Sequence, residues 1–231
     1  MSMGITLGSR SRSVTLAAHP AKPAALPQAF RLGATRIPNE YYPTPPEATR
    51  ALLSVEAFDG SIWEPACGEG AIASVLMEAG HKVVATDLVD YGFGIPRVDF
   101  LKETRPRAKH IVTNPPYGSG LADAFIDRSL RFAAETGGNV AMLLNLASLA
   151  HRTRTRWWRE HTPARLYAID DVVCWPERHY GPPPSHFTKH RYVWAVWTPN
   201  HRGPSAFWWL SSAEFRQRQS FPNNNKKRRS S

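Results

Sequence analysis

The 231-residue sequence predicts an α/β fold, a doubly wound and mostly parallel sheet with an antiparallel C-terminal edge. Three observations carry this expectation. Strand-length apolar runs and helix-period segments alternate strictly from residue 47 to residue 146, the pattern of parallel strands joined by crossover helices. Beyond residue 150 that rhythm breaks, and two strand-like segments at 165–173 and 191–197 are joined by a long Pro-rich loop, which suits an antiparallel edge. Finally, a chain of this length with 42% hydrophobic and 21% charged residues fills one domain and leaves little for a second.

The elements follow in order. Residues 1–37 mix Ala, Pro, Ser and Arg without hydrophobic periodicity, so they are expected to form a disordered basic arm. Their acid-free opening superficially matches an organelle transit peptide, but Pro20, Pro23 and Pro27 spoil an amphipathic helix. The domain is expected over 38–218, with 219–231 a second basic tail ending in Lys226, Lys227, Arg228 and Arg229. After Tyr42-Pro43-Thr44-Pro45-Pro46, residues 47–55 read as a helix, with Ala48, Ala51, Leu52 and Val55 on one face. A short strand ends near Trp63, and the turn Gly68-Glu69-Gly70 leads into a helix over 71–79 that Gly80 stops. Residues 81–86 form the next strand, 97–100 a weaker extended piece, and 109–113 a strand ended by Asn114-Pro115-Pro116. A helix over 121–134, a buried strand over 140–146 and a polar helix over 153–161 complete the reading, and no internal repeat is present.

Charge narrows the partners. The net charge of +10 is concentrated at the ends: residues 1–39 and 202–231 together carry +11, and the body between them carries −1. Within that body, 40–150 is at −5 and 151–201 at +4, so any basic surface of the domain itself belongs to its later part. A polyanion such as nucleic acid is the expected partner. Cys67 and Cys174 are too few for a disulfide framework or a Cys-rich zinc site, which points to a reducing compartment and a metal-free fold. With no apolar run near the ~18 residues that span a bilayer and no secretory signal, a cytoplasmic protein without membrane partners is expected.

The chemistry centres on two segments. Glu64-Pro65-Ala66-Cys67-Gly68-Glu69-Gly70 lies between a strand and a helix, where glycines let backbone approach a ligand, and Asp87 follows Gly68 by 19 residues at the end of the next strand. An acid so placed accepts the two hydroxyls of a ribose. A dinucleotide fingerprint would carry a third glycine; here Glu64 opens the turn, where a carboxylate repels pyrophosphate and holds an ammonium. The ligand that suits both acids is an adenosine carrying an amino acid. The second segment, Asn114-Pro115-Pro116-Tyr117, closes a strand on the edge where open α/β sheets bind ligands. Its prolines leave carbonyls free to accept, Asn114 adds a side-chain carbonyl, and Tyr117 adds a flat face. Acceptors on both N–H groups of a conjugated amine favour a pyramidal nitrogen that can attack a methyl electrophile in line.

In these motifs the sequence resembles the S-adenosylmethionine-dependent amino-methyltransferases, particularly the DNA N6-adenine branch. The segment 42–45 resembles the one preceding the family's cofactor turn, 64–70 that turn, Asp87 the ribose-binding acid, Asp99-Phe100 the element flanking the cofactor adenine, and 114–117 the catalytic tetrapeptide. The resemblance covers residues 40–150 well and reaches Trp197 in outline. It implies a Rossmann-like class I methyltransferase fold with S-adenosylmethionine as cofactor. Glu64, Ala66, Cys67, Gly68 and Gly70 would then hold the methionine part with Thr44 at its carboxylate, Asp87 the ribose, and Asp99 the adenine amine. Asn114, Pro115 and Pro116 would orient the target amine, and Tyr117 would stack on a flipped base. The implied activity is transfer of a methyl group to adenine N6 in DNA, with a base amino group in RNA as the alternative. A protein glutamine amide is disfavoured because no helical domain precedes the turn.

Seven of the eight tryptophans follow residue 156. Alternation over 192–197 assigns most of them to core packing. Arg152, Arg154 and Arg156, beside Trp157 and Trp158, read either as a basic segment suited to phosphates or as a solvated face, and the loop 179–190 as a substrate-facing flap.

Overall fold

The computed structural model describes residues 37–150 and 154–216. Seven strands form one sheet: β1 (Ile62–Glu64), β2 (Val83–Ala85), β3 (His110–Thr113), β4 (Val140–Asn145), β5 (Arg165–Ile169), β6 (Tyr192–Trp197) and β7 (Ala206–Leu210). Their order is β2-β1-β3-β4-β6-β5-β7. All pairs are parallel except those of β6, which runs antiparallel to both β4 and β5. The expected α/β sheet with an antiparallel strand in its C-terminal part is therefore present. Five helices accompany it: α1 (Pro46–Leu53), α2 (Ala71–Glu78), α3 (Leu121–Thr136), α4 (Thr155–Glu160) and the single turn α5 (Glu177–Tyr180).

Two hydrophobic layers explain the winding. On one face Ala48, Ala51 and Leu52 of α1 and Ile72 and Leu76 of α2 pack on Val112, Leu143, Trp194 and Val196. On the other, Phe125, Ile126, Phe132 and Ala133 of α3 pack on Trp63, Ile111, Met142 and Val193. β4 and β6 are buried on both faces, so they read in sequence as continuous apolar runs. Buried indoles find acceptors: Trp63 donates to Thr86 Oγ1 at 2.9 Å, and Trp194 to the Ala48 carbonyl at 2.9 Å.

Two elements differ from expectation. The segment 97–100 is no strand: Arg97 sits at φ 61°, and Asp99 Oδ1 accepts from Leu101 N at 3.1 Å to start a 3-10 turn, Phe100–Lys102. Ile95 instead bridges to Thr86. The strand β7 was not evident from the sequence, because its pattern Ala206-Phe207-Trp208-Trp209-Leu210 lacks alternation and three of its five residues are exposed.

At the edge opposite the C-terminal ends of the parallel strands, His110 is 2% exposed. Its Nδ1 accepts from Asn139 N at 2.8 Å, so the ring proton lies on Nε2, 2.8 Å from Asp59 Oδ1. Burial holds the His110 pKa below its ordinary 6.5, although the Asp59 carboxylate pulls the other way. The unfolded chain thus takes up a proton near pH 6.5 that the folded chain refuses until lower pH, and stability present above that point falls on acidification. Asp59, held below its usual range by hydrogen bonds from Lys109 and then His110, adds a loss of the same sign at lower pH. The raised carboxylates Glu64 and Asp87 act in the opposite sense, so the check is a difference: from pH 8 to pH 5 the urea midpoint of the wild type should fall relative to that of His110→Gln. A difference that stays constant over this range would refute the assignment.

Candidate active site

The C-terminal ends of β1, β2 and β3 open onto a cavity of about 460 Å³. Its position follows from local chain chemistry. β1 delivers Glu64, then the turn reverses the chain through Gly68 at φ 53° and Gly70 at φ 86° into α2. A Cβ on Gly68 would lie 2.6 Å from the Tyr41 ring, and one on Gly70 2.5 Å from the Phe93 ring, so both positions require glycine for conformation and for space. β2 ends at Ala85, two residues before Asp87, and β3 ends at Thr113, where Asn114, Pro115 and Pro116 follow.

Of the residues singled out from the sequence, Thr44, Glu64, Ala66, Cys67, Gly68, Asp87, Asp99, Asn114 and Pro116 line this cavity together. Gly70 lies behind it at the start of α2, and Pro115 and Tyr117 do not line it. Glu64 is 2% exposed, and its Oε2 has no hydrogen-bond partner among the described residues. Desolvation raises its pKa well above the usual carboxylate range, and the nearby Asp87 charge adds to this, against a hydrogen bond from the Ala73 backbone. A buried carboxylate oxygen left unpaired is costly, and a bound cation would relieve it.

Asp87 is anchored. Its Oδ2 accepts from Gly68 N and its Oδ1 from Val89 N, both at 2.8 Å, which leaves further lone pairs on both oxygens. Burial raises its pKa more than these bonds lower it. Cys67 has its thiol held protonated, with a pKa pushed up to about 12 by burial and by the Glu64 and Asp87 charges, so it serves the turn as a small side chain. Asp99 caps its 3-10 turn and pairs with Lys102 at 3.0 Å, while Val98, Phe100 and Leu101 form an apolar wall beside it.

Asn114 is held from three sides. Its Nδ2 donates to the Tyr42 carbonyl at 2.9 Å and to Thr44 Oγ1 at 3.1 Å. The Tyr42 carbonyl can only accept, which fixes the amide with its oxygen on the other side. There the Tyr117 hydroxyl lies 2.6 Å from Asn114 Oδ1 and 2.8 Å from the Leu143 carbonyl, one proton between two acceptors. Asn114 Oδ1 therefore keeps accepting capacity. The Tyr117 ring packs into both core layers, so stacking on a base would require it to leave these bonds. Thr44, 3% exposed, contacts Asn114 and also bonds the buried Cys174.

Several cavity residues were not foreseen. Tyr41 stacks on Tyr91 at 4.7 Å, forming an aromatic rim over the Gly68 turn. His179 of α5 reaches back to Glu69, with Nε2 2.6 Å from Oε1, so the start of the loop read as a flap closes on that turn. Aromatics near a Gly-rich turn carry no local signature, and only their convergence marks them. Of the three arginines beside the Trp pair, Arg152 lies outside the described residues. Arg154 forms an ion pair with Asp123 and lies over the Trp157 and Trp158 rings at 5.0 and 4.9 Å, while Arg156 pairs with Glu160.

The chain shares its fold with class I methyltransferases. Among solved structures, the chain is similar to a protein of Listeria monocytogenes described as a class I S-adenosylmethionine-dependent methyltransferase, with 13% identity, a TM-score of 0.51, and coverage of 79% of this chain and 68% of that one. It is also similar to the modification subunit of a type I restriction enzyme from Vibrio vulnificus, with 16% identity and a TM-score of 0.48 over 78% of this chain, which spans only 48% of that subunit. A protein of Pyrococcus horikoshii described as an RNA methyltransferase gives 14% identity and a TM-score of 0.49, covering 73% of this chain and 93% of that one. No family model and no curated protein matches the sequence.

Proposed function

We propose that the protein is an S-adenosylmethionine-dependent N-methyltransferase that methylates the exocyclic N6 amine of adenine in DNA. The observation that carries the reading is the convergence, in one cavity, of a buried carboxylate with one unpartnered oxygen, an anchored acid just past a strand end and an asparagine oxygen with accepting capacity. The first two fit the cofactor: Glu64 would take its ammonium, and Asp87 its ribose hydroxyls, while the apolar wall at Leu88, Phe100 and Leu101 suits a flat adenine. Bound there, S-adenosylmethionine supplies an electrophilic methyl group. Asn114 accepts from the target amine, localises its lone pair and aims it at the cavity. A conjugated amine is the substrate that needs this help most. The excess of positive charge supports a nucleic-acid substrate.

The direct test is incubation with methyl-labelled cofactor and separate DNA, RNA and protein pools, followed by mass spectrometry of the product; label on cytosine carbon or on ribose would overturn the amine chemistry. The cofactor half is tested separately by calorimetry. Asp87→Ala should weaken binding by about 1–3 kcal/mol, the scale of hydrogen bonds to a charged acceptor, and Asp87→Asn by less because one acceptor oxygen remains. Equal affinity in a folded Asp87→Ala protein would exclude this site.

A further inference from the structure

The far edge of the sheet carries a surface that the cavity does not use. β7 pairs with β5 in the register Leu166↔Phe207 and Ala168↔Trp209, so Phe207 and Trp209 point to the face covered elsewhere by α3 and α4. Over β7 the described residues leave that face uncovered: Phe207 is 42% and Trp209 78% exposed, with their rings 5.1 Å apart in a T-shaped pair. Trp208 points the other way and stacks on Tyr167. Solvated tryptophan at this exposure costs hydrophobic free energy without structural return.

Basic groups gather at the end of strand β6. A cavity of about 290 Å³ at the start of β7 is lined by Arg159, Arg202, His161, His201 and Trp197. Its one lining carboxylate among the described residues, Glu160, is engaged by Arg156 at 2.9 Å, and its His161 is paired with Asp127 at 3.1 Å, which leaves Arg159, Arg202 and His201 as the basic groups facing it. Among the described residues, Arg159 and Arg202 have no ion pair, and the buried His201 Nε2 has no partner. Trp197 lies on the same face as Phe207, because β6, β5 and β7 are adjacent and in register. The face that carries the exposed aromatics thus also carries Trp197, which shares a cavity with two guanidinium groups that no described carboxylate engages, Arg202 Nη1 donating only to the His201 carbonyl at 3.2 Å, and the sequence beyond residue 216 continues with five basic residues and no acidic one.

We infer that this face binds unpaired nucleic acid, with Phe207 and Trp209 as stacking platforms for bases and Arg159 and Arg202 on phosphates. The inference rests on the nucleic-acid reading above and deepens it by naming single-stranded or locally opened strands as what the protein holds. Stacking selects unpaired bases because a duplex hides their faces, whereas two arginines alone would not discriminate. Strand directions suit delivery: β7 and β5 run parallel to β4 and β3, so Trp209 lies toward the same sheet edge as Asn114. Four strand spacings separate them, about 19 Å at about 4.8 Å each.

The test uses the full chain with a fluorescein-labelled 20-nucleotide oligothymidine, a 20-base-pair duplex and an oligouridine. The wild type should prefer the single strands. Trp209→Ala and Phe207→Ala should each weaken single-strand binding by about 5- to 100-fold and leave duplex binding nearly unchanged. Joint replacement of Arg159 and Arg202 by Ala should instead lower the salt slope of binding by about 1.4. All these side chains are exposed or rim-located, and circular dichroism checks the fold of each variant. Unchanged single-strand affinity in the Phe207→Ala, Trp209→Ala double variant would refute the inference. So would a dimer in sedimentation velocity that Trp209→Ala abolishes, which would assign the face to a second copy, or a Trp209 shielded from acrylamide quenching in the free protein, which would assign it to this chain's own terminal residues. Cofactor calorimetry on the same variants separates the readings: loss of strand binding with no cofactor binding in the wild type would sink the methyltransferase reading alone.

Discussion

Replacing Asn114 by Ala is expected to slow methyl transfer by about 10²–10³-fold in single-turnover measurements, the cost of removing one hydrogen-bonding group that acts in the transition state. Cofactor affinity should fall far less than the rate, because the amide touches the cofactor side only through Thr44 and contacts neither Glu64 nor Asp87. Tyr117→Phe then becomes informative. The structure places its hydroxyl on Asn114 Oδ1, so its removal should lower the rate by up to about tenfold, the scale of one neutral hydrogen bond. A Tyr117→Phe enzyme at full rate together with a crippled Tyr117→Ala enzyme would show that the ring matters and the hydroxyl does not. Full activity in Asn114→Ala would exclude the tetrapeptide from the chemistry.

The largest stability effect is expected far from this cavity. Glu56, 7% exposed, receives Arg165 Nε and, at 2.9 Å, Arg165 Nη2, and its Oε1 also accepts from the Tyr167 hydroxyl at 2.6 Å. This bidentate pair ties the segment after α1 to β5 across more than a hundred residues of sequence. Removing the cation strands a carboxylate whose side chain is only 4% exposed, so Arg165→Met should lower the unfolding free energy by about 3–5 kcal/mol. Glu56→Leu in the same chain should restore most of it, since two apolar side chains carry no unpaired charge. Urea unfolding of the two variants decides the point. A loss below about 1 kcal/mol for Arg165→Met would mean that water reaches the carboxylate and the pair is not buried in effect.

Neither Glu56 nor Arg165 is distinctive in sequence, and the reason is general to this molecule. Whatever depends on neighbours along the chain was legible: the apolar runs of β3 and β4, the glycines that turn β1 into α2, the prolines that end β3, and the spacing from Gly68 to Asp87. Because sheets of this kind gather strand ends on one edge, those local signals also located a polar set within the cavity lining, Thr44, Glu64, Asp87, Asp99 and Asn114. What the sequence could not carry was set by packing between distant segments. The Tyr41–Tyr91 rim, the His179–Glu69 contact and the Glu56–Arg165 pair join residues 50 to 110 positions apart, and no periodicity records such a meeting. The same holds for Tyr117, whose motif suggests an outward ring but whose hydroxyl is drawn inward to Asn114 and Leu143. β7 shows the opposite failure: with its aromatics exposed, no burial pattern was written into its sequence, and only pairing with β5 makes it a strand. Local backbone preference thus determined the frame and the acids and asparagine on it, while the directions of side chains and the unpaired edge were decided by which surfaces the finished sheet brought together.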